Sequence, residues 1–179
     1  MLQMWRGSTV AAMSVEEIEN RLTIMGARYD RAEFIEGAKT KRSAWEIAEE
    51  WGDGLVAFRQ SDRDFFGLAA CELWRRLCPE PPSFEMIDDG VCEGYALVEQ
   101  KKPSAALNSW WKVWETLRPR LTPEMRDLST AGGCLFPQMS QCLSNWSVDF
   151  RLEAVNASLS DLPSGEIGIR FCRDRKSVV

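Results

Sequence analysis

Two acidic pairs hold the residues best suited to chemistry in this chain: Glu46 and Glu49 in "EIAE", and Glu85 and Asp88 in "EMID". An i, i+3 step puts each pair on one side of a helix, and hard divalent cations bind where several carboxylate oxygens converge. On residue type alone the sharper reading is a magnesium or partner-binding patch. The competing account is structural. Glu85, Asp89 and Glu93 follow an i, i+4, i+8 stripe with Asp88 beside it, a wet helix face opposite Met86, Val91 and Leu97. Acids near a helix start also suit its dipole. The structural account is preferred. No catalytic residue, metal site or cofactor is assigned, and Glu46, Glu49, Glu85 and Asp88 with magnesium are the alternative.

That alternative resembles the all-α nucleotide pyrophosphohydrolases, whose acids hold magnesium; the separation between the two pairs is longer here than their pattern allows. Missing residue types narrow the chemistry further. The chain has no histidine, which excludes Ser-His-Asp and Cys-His nucleophile activation, HExxH zinc sites and ExxH di-iron sites. Its six cysteines, Cys71, Cys78, Cys92, Cys134, Cys142 and Cys172, include no CxxC pair. Cys71, Cys92 and Cys142 sit in helical patterns among apolar residues, where a reduced thiol acts as a small hydrophobe. Reduced thiols in a cytoplasmic protein are therefore expected.

A second group suits binding rather than catalysis. Trp110, Trp111 and Trp114 make the densest aromatic cluster in the chain, and Trp111 points away from the face shared by the other two. Arg118, Arg120 and Arg126 follow in "RPRLTPEMR" and could take a phosphate or an acidic peptide. Trp111, Arg118, Arg120 and Arg126 are the candidate partner-binding residues. Trp74, Trp110, Trp114 and Trp146 are expected in the core.

The elements that must position these residues read as helices nearly throughout. Ser14 with Glu17 forms a capping box ahead of Ile18, Leu22 and Met25, and Gly26 stops that helix. Asp30 caps "RAEFIEGAKT", Ser43 with Glu46 caps "AWEIAEEWG", and Ser61 with Asp64 is expected to cap "DRDFFGLAACELWRRL". Pro79, Pro81 and Pro82 end that run, and Ser83 caps "FEMIDDGVCEGYALVEQ". Next come "SAALNSWWKVWETLRPRL", a short "TPEMRDLS" started by Thr122 and Pro123, "QMSQCLSNWSVDFRLEAVNAS" with Met139, Leu143, Trp146, Phe150, Leu152 and Val155, and "SGEIGIRFCRD". "GLVAF" is the best strand candidate and is short.

At 179 residues, with 45% hydrophobic and 27% charged residues, the chain can form one domain or a short helical array. No apolar run approaches the roughly 20 residues of a membrane span. The first residues, "MLQMWRGSTVAAMS", lack the apolar core of a signal peptide. A net charge of −5 without a run of like charge argues against nucleic acid as a partner. Residues 1–13 precede the capped helix and read as a flexible extension, 14–158 as the helical domain, and 159–179 as a frayed or truncated segment. In that last segment "RDRKSVV" offers nothing to cover Ile167, Ile169 and Phe171, so self-association through it is an open route.

Gly94, Leu97, Ala106, Trp110 and Val113 follow the small-and-large spacing of a tetratricopeptide helix pair, although Lys101 and Pro103 stand where a glycine and a tyrosine are usual. "ELWRRLCPEPPSFEMIDDGVCEGYALVEQ", "WWKVWETLRPRLTPEMR" and "NWSVDFRLEAVNAS" resemble uncharacterised bacterial and archaeal helical proteins with tetratricopeptide-like repeats, often bearing a C-terminal SEC-C metal-binding motif. The likeness runs from Ser14 to Cys172 and implies an all-α fold of antiparallel hairpins, as a right-handed array or an irregular bundle. It brings no catalytic residues. The clustered Cys and His of the metal motif are not in this chain. The resulting expectation is a non-catalytic interaction module with an unidentified protein or peptide partner.

Overall fold

Ser14 starts its helix by the reciprocal device the sequence announces. Its hydroxyl accepts from the Glu17 amide at 3.1 Å, and its own amide donates to the Glu17 carboxylate at 2.6 Å. A computed structural model describes residues 5–53, 60–122, 125, 129 and 140–178, without the side chains of 175–178. Among these residues every regular element is helical. In chain order they are α1 (Gly7–Ala11), α2 (Val15–Ile24), α3 (Arg31–Thr40), α4 (Ala44–Trp51), α5 (Gln60–Leu77), α6 (Phe84–Glu99), α7 (Pro103–Leu117) with a 3₁₀ turn at Arg118–Arg120, α8 (Leu143–Ser158) and α9 (Leu162–Val178). "GLVAF", Cys134, Met139 and most of "TPEMRDLS" lie outside the described residues.

Local caps account for several helix starts. Asp30 accepts from the amides of Ala32 and Glu33, and Ser43 from that of Glu46. Gly26, at φ 77°, ends α2 in the left-handed conformation that glycine adopts without a Cβ penalty. Ser61 departs from expectation: α5 already contains Gln60, so Ser61 lies within the helix rather than capping it.

The chain divides into two compact units, Met1–Met86 and Ile87–Val179, where one domain over 14–158 was expected. The first packs α2 to α5 around Phe34, Trp51, Phe66 and Trp74. Trp74 meets Phe34 edge-on at 6.3 Å between ring centres, and Trp51 meets Phe66 edge-on at 6.2 Å. The indole N–H of Trp74 donates to the Pro81 carbonyl, so the proline-rich loop supplies the polar partner that a buried indole requires.

The stretch expected to be a flexible extension joins this core over its described part. Val10 is buried, and the Trp5 ring lies 4.6 Å from that of Phe65. The Arg76 guanidinium donates to the carbonyls of Ala11 and Met13, tying the end of α1 to α5. This attachment rests on contacts more than sixty positions apart in sequence, which a local capping signal at Ser14 does not report.

The second unit is built from two hairpins. A Cβ on Gly94 would fall on the Trp110 ring and one on Gly90 would meet Val113, so the contacts run in opposite order along α6 and α7 and the pair is antiparallel. In the same way Gly165 faces Ser158 and Gly168 faces Ala154 across α8 and α9. Trp110, Trp114, Trp146, Phe150 and Phe171 fill the centre. All four tryptophans expected in the core, Trp74 among them, are buried, and Trp111 is more exposed.

Within the segment 159–179, expected to be frayed or truncated, Leu162–Val178 form the long helix α9. Phe171 stacks on Phe150 at 4.3 Å and meets Trp114 edge-on at 4.9 Å. Phe171 is thus covered by helices that precede it. Leu152 and Val155 also differ from expectation, being 56% and 64% exposed. The buried stripe of α8 is instead Leu143, Trp146, Phe150, Ala154 and Ala157.

Lys101 closes α6 in the left-handed region, at φ 59°, a conformation that glycine adopts without a Cβ penalty. Its amide donates to the Val98 carbonyl, and that of Lys102 to the Leu97 carbonyl. Replacing Lys101 by glycine removes a left-handed penalty of roughly 1–2 kcal/mol and adds backbone entropy cost of roughly 0.5–1 kcal/mol. Lys101→Gly is therefore expected to raise stability by about 0.5–1 kcal/mol in urea unfolding. A loss would show that the lysine side chain holds the turn.

Candidate functional site

The acids singled out for metal chemistry have separate tasks. Glu85 acts on α4 from the start of α6: its carboxylate accepts from the Ser43 hydroxyl and from the amides of Ala44 and Trp45. It thereby supplements the Ser43 cap and satisfies amides left open by the helix start. Asp88 accepts from both the amide and the hydroxyl of Ser140, and Glu49 pairs with Arg63 at 2.6 Å. Glu46 is exposed. Glu46, Glu49, Glu50 and Asp53 line an open depression with Lys41, whose ammonium pairs with Glu50. Among the described residues no three His, Cys, Asp or Glu side chains gather as a metal-ligand set.

Removing the Glu85 carboxylate leaves amides at the α4 start without an acceptor. Glu85→Ala is expected to cost about 1–3 kcal/mol in chemical denaturation, as for other buried or part-buried polar partners. Glu46→Ala, on an exposed face, should change little. Equal effects of the two variants would remove the capping role.

The residues expected to bind a partner are placed unevenly. The Trp111 ring is covered by the Arg170 guanidinium, 4.5 Å from its centre. Arg118 pairs with Asp174 at 2.7 Å, and Asp174 also accepts from the Trp114 indole. Trp111 of α7 and Arg118 of the 3₁₀ turn therefore fasten α9. Arg120 lies in the 3₁₀ turn and is half-buried. Arg126 is outside the described residues. Two cysteines expected among apolar neighbours, Cys92 and Cys142, are exposed. Cys142 precedes the first residue of α8, where the Ser144 hydroxyl lowers its thiol pKa from the usual value.

A different surface has the shape of a binding site. The small residues Gly165 and Gly168 let α9 approach α8 closely; an added Cβ at Gly168 would lie 2.5 Å from that of Ala154. Beside this seam runs an open groove of about 940 Å³. Val148, Leu152 and Val155 wall it from α8, and Leu162 and Ile169 from α9. These are five of the seven large hydrophobic residues that stand exposed among the described residues. Single exposed apolar residues are ordinary, but a contiguous set marks a surface for association. Arg151, Arg173 and Glu166 supply the charge. The Arg151 Nε is buried with no hydrogen-bond partner among the described residues.

The expectations for partner binding did not include this groove. Its signal is present in α8 as two apolar stripes: Leu143, Trp146 and Phe150 on one, Val148, Leu152 and Val155 on the other. A helix with two such stripes has more apolar surface than one neighbour covers. Among the described residues no helix is long and apolar enough to cross a membrane. No protein-family model, curated protein or solved structure matches the chain.

Proposed function

We propose that the chain is a non-catalytic protein-interaction module of tetratricopeptide-like hairpins, akin to the helical proteins its sequence resembles, and that it acts in the cytoplasm. The reading is carried by the apolar groove between α8 and α9. An amphipathic helix laid into such a groove presents residues at i, i+3, i+4 and i+7 to a matching apolar surface. Val148, Leu152 and Val155 repeat at that spacing on the receiving wall. The antiparallel hairpins and small-on-large contacts support the tetratricopeptide likeness.

The test uses a fluorescein-labelled helical peptide with one leucine-isoleucine face and uncharged serine and glutamine elsewhere. Saturable binding, read by anisotropy, is expected for the native chain and should be lost in Leu152→Asp and Ile169→Asp. Both positions are more than half exposed, so the two variants should keep the native melting temperature. Binding that survives both substitutions would place the interaction elsewhere. Magnesium titration separates this reading from the carboxylate-dependent enzyme: a saturating rise in melting temperature, abolished by Glu46→Gln with Glu49→Gln, would favour the enzyme.

A further inference from the structure

We infer that the groove's occupant is an amphipathic helix of another protein with acidic residues flanking its apolar face; this rests on the interaction reading above and names its partner class. The wall formed by α9 from Leu162 to Arg173 extends about 16 Å at 1.5 Å per residue, the length of a three-turn helix. Its apolar lining suits leucine or isoleucine side chains. Phosphate groups of a nucleic acid would leave those residues exposed to water.

The rim decides the sign of the partner. Arg151 and Arg173 outnumber Glu166 among the charged residues that line the groove. Arg170, the next basic residue on α9, is occupied over Trp111. The Arg151 guanidinium has a buried nitrogen with no acceptor, on a side chain that helps line the groove. A carboxylate on the partner meets the Arg151 and Arg173 guanidiniums at the rim in a charge-assisted hydrogen bond, the strong form of that contact. Glu166 offers one place for a basic residue and so fixes the direction in which the helix lies.

A second copy of the chain fits less well. A two-fold interface sets the same patch against itself, which brings the cationic rim of one copy towards that of the other. A helix with acidic flanks meets no such repulsion.

Two further peptides test this, sharing one apolar face and differing only in glutamate or lysine flanks. On the native chain the glutamate peptide is expected to bind about tenfold tighter than the lysine peptide, with the preference weakened by added salt. Arg151→Gln with Arg173→Gln should bring the two charged peptides within about twofold of each other. Arg173→Gln alone, at an exposed position, should reduce the preference even where the double variant folds poorly. Equal binding of both charged peptides to the native chain would overturn the acidic-partner inference and leave the groove reading standing. Failure of all three peptides to bind would remove both. Sedimentation equilibrium showing a dimer that Leu152→Asp dissociates would make the occupant a second copy and also overturn the inference.

Discussion

Gly94→Ala is expected to destabilise the second unit by about 3 kcal/mol, at the upper end of the cost of overpacking a core. Helix propensity predicts the opposite sign, since alanine is favoured over glycine in a helix interior by roughly 1 kcal/mol. The geometry decides between them. A Cβ at position 94 would lie 1.9 Å from the Trp110 indole nitrogen and 2.3 Å from the adjoining ring carbon. The ring cannot swing away easily: Trp110 is fully buried, its N–H donates to the Val91 carbonyl at 3.0 Å, and Tyr95 and Phe150 stand against it. Relief therefore requires α6 and α7 to separate or the indole to lose its hydrogen bond.

Gly37→Ala supplies the internal comparison. There the new Cβ would sit 3.4 Å from the flexible end of Ile47, an ordinary contact, so the propensity gain should survive. Urea unfolding of the two variants should give opposite signs, with Gly37→Ala stabilising by about 0.5–1 kcal/mol. A stabilised Gly94→Ala would mean that the α6–α7 approach is looser than the structure has it.

The same contact shows what local sequence can carry. Gly94 and Trp110 lie on helices joined by a short turn, so their small-on-large pairing is close to a local property, and the spacing discloses it. The caps at Ser14, Asp30 and Ser43 are legible for the same reason, because each side chain reaches an amide two or three positions ahead. The burial of Trp74, Trp110, Trp114 and Trp146 follows from helical period and side-chain size.

Long-range relations are where legibility ends. Glu85 reads as one member of an acidic stripe, yet its carboxylate caps a helix about forty residues earlier. Trp5 and Val10 show no helical period, and the core they join is built by residues that follow them in the chain, Phe65 of α5 among them. The boundary between the two units falls inside α6, an uninterrupted helix, so no proline- or glycine-rich linker marks it. Arg118 and Trp111 look like free binding groups until α9 brings Asp174 and Arg170 to them. The groove escapes for a related reason. Leu152 and Val155 have the composition of core residues, and only the placement of α9 against the other stripe leaves them in the open.

Phe171→Ala is expected to cost about 3–5 kcal/mol, the range for removing a fully buried aromatic ring. The residue stands eight positions from the last one in the chain, where a frayed end would make the same substitution silent. In the structure its ring is stacked on Phe150 and edge-on to Trp114 and Trp146, so truncation opens a cavity walled by three large rings. Those rings come from α7 and α8, and collapse onto the space would require both helices to move. Ile169→Ala, two positions earlier and 53% exposed, should change stability by no more than about 0.5 kcal/mol. The contrast separates a docked helix from a frayed one more sharply than either value alone, because fraying predicts small effects at both sites. Thermal and urea unfolding of the pair measure it. A near-zero effect of Phe171→Ala would detach α9 from the core, and with it the second wall of the groove on which the proposed interaction depends.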